Sequence, residues 1–224
     1  MNACVQAYLS LSARVESLAQ GQIVQILPVS KGQSVEKIRA ALSDERFPRR
    51  LGENYLEELQ AKHMALQEFP VEWHYLGRLQ SRKISEICAV ADVIHTVTRA
   101  KELELISREP RVSKIRFFFQ VNVSSEDQKN GCAPSDLPAL FVLANKLNLG
   151  TQIAGLMALP AAQENAGEEN LRSQFRLLRT LRDQYVPRGL LSMGMSDDFE
   201  IAIQEGAQIL RIGTALFGER SQKN

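Results

Sequence analysis

Cysteine is scarce in this chain: Cys4, Cys88 and Cys132 are widely separated and none stands in a C-x-x-C spacing. An odd, scattered set excludes a disulfide framework and predicts buried or incidental thiols in a reducing cytoplasm. Histidine is equally scarce. His63, His74 and His95 lack any spacing typical of zinc ligands, so no metal site is expected. No apolar run approaches the roughly 20 residues that cross a bilayer. The opening MNACVQAYLSLSARVESLAQG has neither the basic start nor the apolar block of a signal peptide. Excess charge of one sign is missing too: a formal net charge of +1 gives no electrostatic case for nucleic acid or an anionic membrane. No composition break marks a linker, so residues 1–224 read as a single domain, and nothing demands oligomerisation, which makes monomer the expectation. What remains, 24% charged and 44% hydrophobic, is the composition of a globular chain able to bury a core.

Apolar periodicity divides that chain into alternating elements. Val5, Tyr8, Leu9, Val15 and Leu18 predict an N-terminal helix over about 5–19. Eight strand candidates follow, at 23–29, 50–54, 73–76, 93–97, 115–123, 152–157, 190–195 and 209–212, with helical spacing between them. The connection 124–134 is polar and irregular, and 161–168, AAQENAGE, is the most loop-like patch. Strict alternation implies a parallel sheet with right-handed crossovers, and eight strands favour a closed (β/α)₈ TIM barrel. A doubly wound open sheet is the alternative, but it usually carries a glycine-rich turn after its first strand, where this chain has Ser30-Lys31-Gly32.

The stretch LLSMGMSDDFEIAIQEGAQILRIGTALFGER, 190–220, reads as two successive strand–turn–helix units. Ser196-Asp197-Asp198 looks like a capped helix start, and Gly213-Thr214 opens another short helix. Side by side, such turns offer hydroxyls and free N–H groups to an anion. Arg211 is a permanent charge in an apolar strand and needs a partner, either a structural carboxylate or a ligand. In a barrel the strand C-termini carry the chemistry. Lys31, Glu53, Asn54, Asn122, Ser196, Gly213 and Thr214 all fall at those ends, with His74 inside strand three. Strand one lies next to strand eight, so Lys31 faces the phosphate end. Partial desolvation there favours a Schiff-base nucleophile. Pyridoxal 5′-phosphate fits this set, with a sugar-phosphate aldolase site as the alternative. Glu53, Asn54 and His74 read equally as ligand contacts or as structural hydrogen-bonders.

The segments VSKGQS (29–34), GENYLEE (52–58), HYLGRLQSRK (74–83), QVNVSSEDQKNG (120–131), GLMALP (155–160) and SMGMSDDFEIAIQEGAQILRIGTALFGER (192–220) resemble the YggS/PROSC family of pyridoxal phosphate homeostasis proteins. The resemblance is collinear over about 23–220. It implies a single barrel similar to the N-terminal domain of alanine racemase, with Lys31 holding pyridoxal phosphate as a Schiff base. It further implies that Ser196, Gly213 and Thr214 hold the phosphate, that Arg211 faces the pyridine nitrogen, and that Asn54 and His74 lie around the ring. The chain departs from the family pattern at Arg82, where Asn is usual, at Leu51, where Phe is common, and at Arg78, where His is common. These positions are expected to flank the pocket.

Arg211 also bears on activity. A guanidinium donates without surrendering its proton, so the pyridine nitrogen stays unprotonated and the cofactor becomes a weak electron sink. Racemisation needs a base on each face of the substrate carbon. In alanine racemase the second is a tyrosine from the extra domain of the other subunit, for which this chain leaves no room after residue 220. The expectation is a non-enzymatic protein that buffers pyridoxal phosphate or hands it to apo-enzymes. The alternative is a pyridoxal phosphate-dependent amino-acid racemase or lyase, and a third class is an interaction module that signals the bound cofactor.

Overall fold

The computed structural model describes residues 2–124, 130–160 and 163–219. Helix α1 (Ala3–Ala19) comes first, capped by the Asn2 side chain, which accepts from Cys4 N–H. Strands and helices then alternate: β1 (Gln25–Pro28), α2 (Val35–Leu42), β2 (Arg50–Glu53), α3 (Leu56–Ala65), β3 (Glu72–Tyr75), α4 (Ile84–Val90), β4 (Val93–Val97) and α5 (Ala100–Ile106). The second half continues with β5 (Arg116–Gln120), α6 (Leu137–Lys146), β6 (Ile153–Met157), α7 (Gln163–Tyr185), β7 (Leu190–Ser192), α8 (Phe199–Gln204), β8 (Ile209–Ile212) and α9 (Thr214–Phe217).

The strands pair in parallel in the order β1-β8-β7-β6-β5-β4-β3-β2. A parallel bridge between Val29 and Gly52 returns β1 to β2, with Ser30 N–H donating to Gly52 O at 2.9 Å. An open doubly wound sheet has no such return. The fold is the (β/α)₈ barrel.

Period-two alternation splits each strand between two cores. Leu27, Val93, Phe118, Met157 and Ile209 fill the barrel interior, joined by Leu76, Ala154 and Leu190. The opposite faces pack on the helices; Leu171, Phe175 and Leu178 of α7 are fully buried there, each worth about 1.5–3 kcal/mol of burial. α1 lies outside the barrel against α8 and α9, with Arg14 paired to Glu200.

Three local expectations change. The loop-like patch 161–168 is helical from Gln163, broken only where Gly167 takes φ 70°; residues 161 and 162 lie outside the described residues. Strand seven stops at Ser192 rather than running on to 195, because Gly194 turns the backbone left-handed at φ 94°. The helix after it begins at Phe199, with Asp198 and not Ser196 at the N-cap position. Of the polar connection 124–134, residues 125–129 fall outside the described residues.

Candidate functional site

Lys31 sits in a turn that is clamped on both sides. Ser30 Oγ donates to Glu53 Oε1 at 2.5 Å, and Ser30 O accepts from Lys62 Nζ at 2.7 Å. On the other side, Gly32 N–H donates to Glu58 Oε2 at 2.8 Å. Lys62 unites the cluster, reaching Glu53 Oε1 at 2.6 Å and Glu58 Oε2 at 2.9 Å. Burial raises the Glu53 carboxyl above the ordinary carboxylate range, against the pull of Lys62. Glu53 therefore points outward between sheet and α3, where it organises the turn. Glu58 and Lys62 escaped the sequence reading, although their i,i+4 spacing was a usable signal.

At the same end of the barrel, Lys31, Asn54, Ser196, Arg211, Gly213 and Thr214 line one cavity of ≈ 390 Å³, walled by Val29, Leu76 and Met157 and rimmed by Leu159, Met195 and Asp197. That volume lies in the small-molecule range. Strand order explains the convergence, since Leu27 pairs with Arg211 and Pro28 with Ile212, which sets the Lys31 turn beside the β8 end. Asp198 Oδ1 accepts from Met195 N–H, so the turn after β7 is held by Asp198 while Ser196 stays at the cavity. Gly213 heads α9 with no side-chain cap, leaving first-turn N–H groups without an intrahelical acceptor.

Arg211 enters from β8 and is 5% exposed. Nη1 donates to Ser192 O at 2.6 Å and Ser192 Oγ at 3.0 Å, and Nη2 donates to Ala158 O at 2.9 Å. Among the described residues no carboxylate forms an ion pair with it, so the structural salt bridge weighed from sequence is not there. Burial pushes its pKa down to about 10, with Asp198 opposing, and the group stays charged at neutral pH. Asn54 Oδ1 is buried with no hydrogen-bond donor among the described residues. An amine, a charged donor, a turn rich in N–H groups and an orphaned acceptor around apolar walls suit a flat, phosphorylated aldehyde bearing a hydroxyl.

His74 is the correction. It does not line this cavity. Leu76, two residues on and therefore on the same strand face, occupies the layer above it. Both His74 ring nitrogens are engaged, Nε2 with Glu72 Oε1 and Nδ1 with His95 Nε2, each at 2.8 Å. Arg78 and Arg82 are exposed and Leu51 is buried; none of the three lines the cavity itself.

Burial lowers the pKa of His74, against the attraction of Glu72, and lowers that of His95 well below the ordinary value, where His74, Arg211 and Arg116 add to the effect. Between those folded values and about 6.5 the unfolded chain binds the extra protons, so stability falls as pH drops below about 6.5. The slope has this sign for both rings and cannot exceed about 1.4 kcal/mol per pH unit for each. Urea unfolding at pH 7 and pH 5 checks this, and a flat profile over that interval would contradict it.

The comparisons agree with this geometry. The family model described as alanine racemase, N-terminal domain, matches residues 10–221. The pyridoxal phosphate homeostasis protein of Pseudomonas aeruginosa is 38% identical over 98% of this chain and 97% of its own. The chain belongs to the pyridoxal phosphate homeostasis protein family. A second member, from Aquifex aeolicus, is 40% identical over 75% of this chain and 76% of its own. Among solved structures, PipY of Synechococcus elongatus with PLP bound superposes with a TM-score of 0.79 at 31% identity, covering 96% of this chain and all of that one. Alanine racemase from Streptomyces lavendulae shares the fold at a TM-score of 0.74 and 17% identity, this chain matching 56% of its length. The family resemblance read from the motifs is therefore correct. No helix among the described residues is long and apolar enough to cross a membrane.

Proposed function

We propose that this protein binds pyridoxal 5′-phosphate in the cavity at the strand ends of its barrel and serves as a cytoplasmic reservoir that buffers the cofactor or hands it to apo-enzymes. The convergence of Lys31, Asn54, Ser196, Arg211, Gly213 and Thr214 on one ≈ 390 Å³ cavity carries this reading. The names of the homeostasis relatives and the PLP in PipY support it. When bound, pyridoxal phosphate supplies an aldehyde for reversible covalent attachment and an electron-withdrawing ring. Lys31 is the amine placed to hold the aldehyde. The Ser196 hydroxyl and the N–H groups at Gly213 and Thr214 would hold the phosphate, and Asn54 would meet a polar edge of the ring. The whole chain acts as one domain around this cavity.

Arg211 argues for storage over turnover. Its guanidinium remains protonated at neutral pH and donates toward the ring nitrogen without transferring its proton, a poor arrangement for carbanion chemistry. Among the described lining residues, Asp197 at the rim is the one carboxylate that could act as a base opposite Lys31. A racemase reading therefore rests on Asp197.

Absorbance spectra of wild type and Lys31→Ala, with added cofactor and then with L- and D-amino acids, test the proposal. A visible band that depends on Lys31, with no amino acid turned over, is the expected result. Catalytic racemisation or consumption of an amino acid would replace storage by enzyme function. No band even at excess cofactor would remove the pyridoxal reading itself.

A further inference from the structure

The polar side chains inside the barrel form one continuous line. Arg211 Nη1 lies 3.0 Å from Ser192 Oγ, Ser192 Oγ lies 3.0 Å from His95 Nδ1, and His95 Nε2 lies 2.8 Å from His74 Nδ1. His74 Nε2 is 2.8 Å from Glu72 Oε1, and Glu72 Oε2 accepts from Arg116 Nη2 at 2.6 Å. Strands β8, β7, β4, β3 and β5 each contribute a link. The line runs from the cavity to the opposite end of the barrel, where the Glu72 side chain is 38% exposed.

The two ends determine the direction of every bond between them. Arg211 can only donate, so Ser192 Oγ accepts from it, and when both rings are neutral the Ser192 O–H turns toward His95 Nδ1. His95 Nδ1 is then an acceptor and Nε2 carries the proton, which it offers to His74 Nδ1. His74 in turn carries its proton on Nε2 and donates to Glu72. At the far end Glu72 can only accept as an ionised carboxylate, and its hydrogen bond with His74 holds its pKa down at about 2. The arrangement that satisfies Glu72 at one end and Arg211 at the other with neutral rings has each ring protonated on Nε2. A proton added to His74 Nδ1 would set it against the Nε2–H of His95.

We propose that Glu72, His74, His95 and Ser192 are positioning residues for Arg211. They lock the Ser192 hydroxyl so that its lone pair faces Nη1. Freed from His95, that hydroxyl could rotate its own proton toward the guanidinium and spoil the aim of Arg211 into the cavity. Phe118 stacks on His95 with ring centroids 4.5 Å apart and keeps the imidazole in plane with the line. The role in aiming Arg211 rests on the cofactor reading above; the arrangement of protons does not.

The test therefore has two arms. Nitrogen-15 NMR of the cofactor-free protein is tractable because the chain holds three histidines, with His74→Gln and His95→Gln giving the assignments. Two buried rings that are neutral and protonated on Nε2 at pH 7 are expected; a ring protonated on Nδ1, or on both nitrogens, overturns the relay. The second arm compares the absorbance maximum and Kd for added pyridoxal phosphate in wild type, Ser192→Ala, His95→Phe and His95→Gln. Ser192→Ala and His95→Phe should move the band and weaken binding about tenfold. His95→Gln keeps one acceptor and one donor in line and should restore both. A band and Kd unchanged in Ser192→Ala and His95→Phe would show that the line does not position Arg211. A wild type that takes up no pyridoxal phosphate would instead remove the cofactor reading and the aiming role with it, while the NMR arm still decides the arrangement of protons.

Discussion

Lys62→Met is expected to destabilise the protein by about 3–5 kcal/mol, because it removes the buried cation that pairs with the fully buried Glu53. The Lys62 side chain is 5% exposed and the Glu53 side chain 0%. Methionine matches the aliphatic stem but takes away the ammonium that meets Glu53 Oε1 and Glu58 Oε2. Glu53 has little left to fall back on, since Oε2 already lacks a partner among the described residues and desolvation already raises its pKa. For a chain of this size about 2–4 °C of Tm accompanies each kcal/mol, so thermal unfolding should shift by roughly 6–20 °C. Cofactor affinity should weaken as well, because Lys62 holds Ser30 O and helps to hold the Glu58 that clamps Gly32. The double variant Lys62→Met with Glu53→Gln should recover part of the loss, having removed the buried carboxylate charge that Lys62 offset. A single variant as stable as wild type would show that the cluster contributes nothing net.

Gly155→Ala is expected to cost about 3 kcal/mol or more. Gly155 takes φ +154° where the register between β5 and β6 shifts, and a Cβ there would stand 1.9 Å from Leu190 O and 2.5 Å from Leu190 N. Those are backbone atoms of the neighbouring strand, so relief requires β7 to move. β7 carries Ser192, which holds Arg211, and leads into the turn that bears Ser196. Damage to stability should therefore be accompanied by loss of the cofactor band. Gly21→Ala is the control: φ is +90° but nothing lies within 4 Å, so only the backbone cost of about 1–2 kcal/mol applies. Urea unfolding of both variants separates the two effects, and equal losses would refute the steric account.

The proposed storage role also makes sense of the geometry around Arg211. A cation without a contacting carboxylate is costly to bury, and the barrel tolerates it by surrounding it with the carbonyls of Ser192 and Ala158 and the Ser192 hydroxyl. A carboxylate in their place would stabilise the arginine on its own account and weaken its interest in a ligand.

Strand-and-helix alternation was legible in the sequence because hydrophobic periodicity is a local signal, and eight strands with little room for anything else made the barrel the natural closure. Strand-end positions were legible for the same reason. Lys31, Asn54, Ser196, Gly213 and Thr214 follow strands whose limits the apolar runs define, and Arg211 stood out as a charge inside one. The start of α8 was not legible, since Ser196 is as good a cap by composition as Asp198, and only the bond from Met195 N–H to Asp198 separates them.

By itself, then, the sequence determined the order of the elements, the end of the barrel that carries the site, and the residues that reach it, all properties of short stretches and their succession. The tertiary structure alone decided which side chains share a height inside the barrel. His95 meets Ser192 across 97 positions of sequence, and His74 meets His95 across 21. Those meetings depend on strand register and on closure through Val29 and Gly52, and one residue of slip would turn each side chain to the other face. That is why His74, placed around the ring from sequence, belongs instead to the line beneath it.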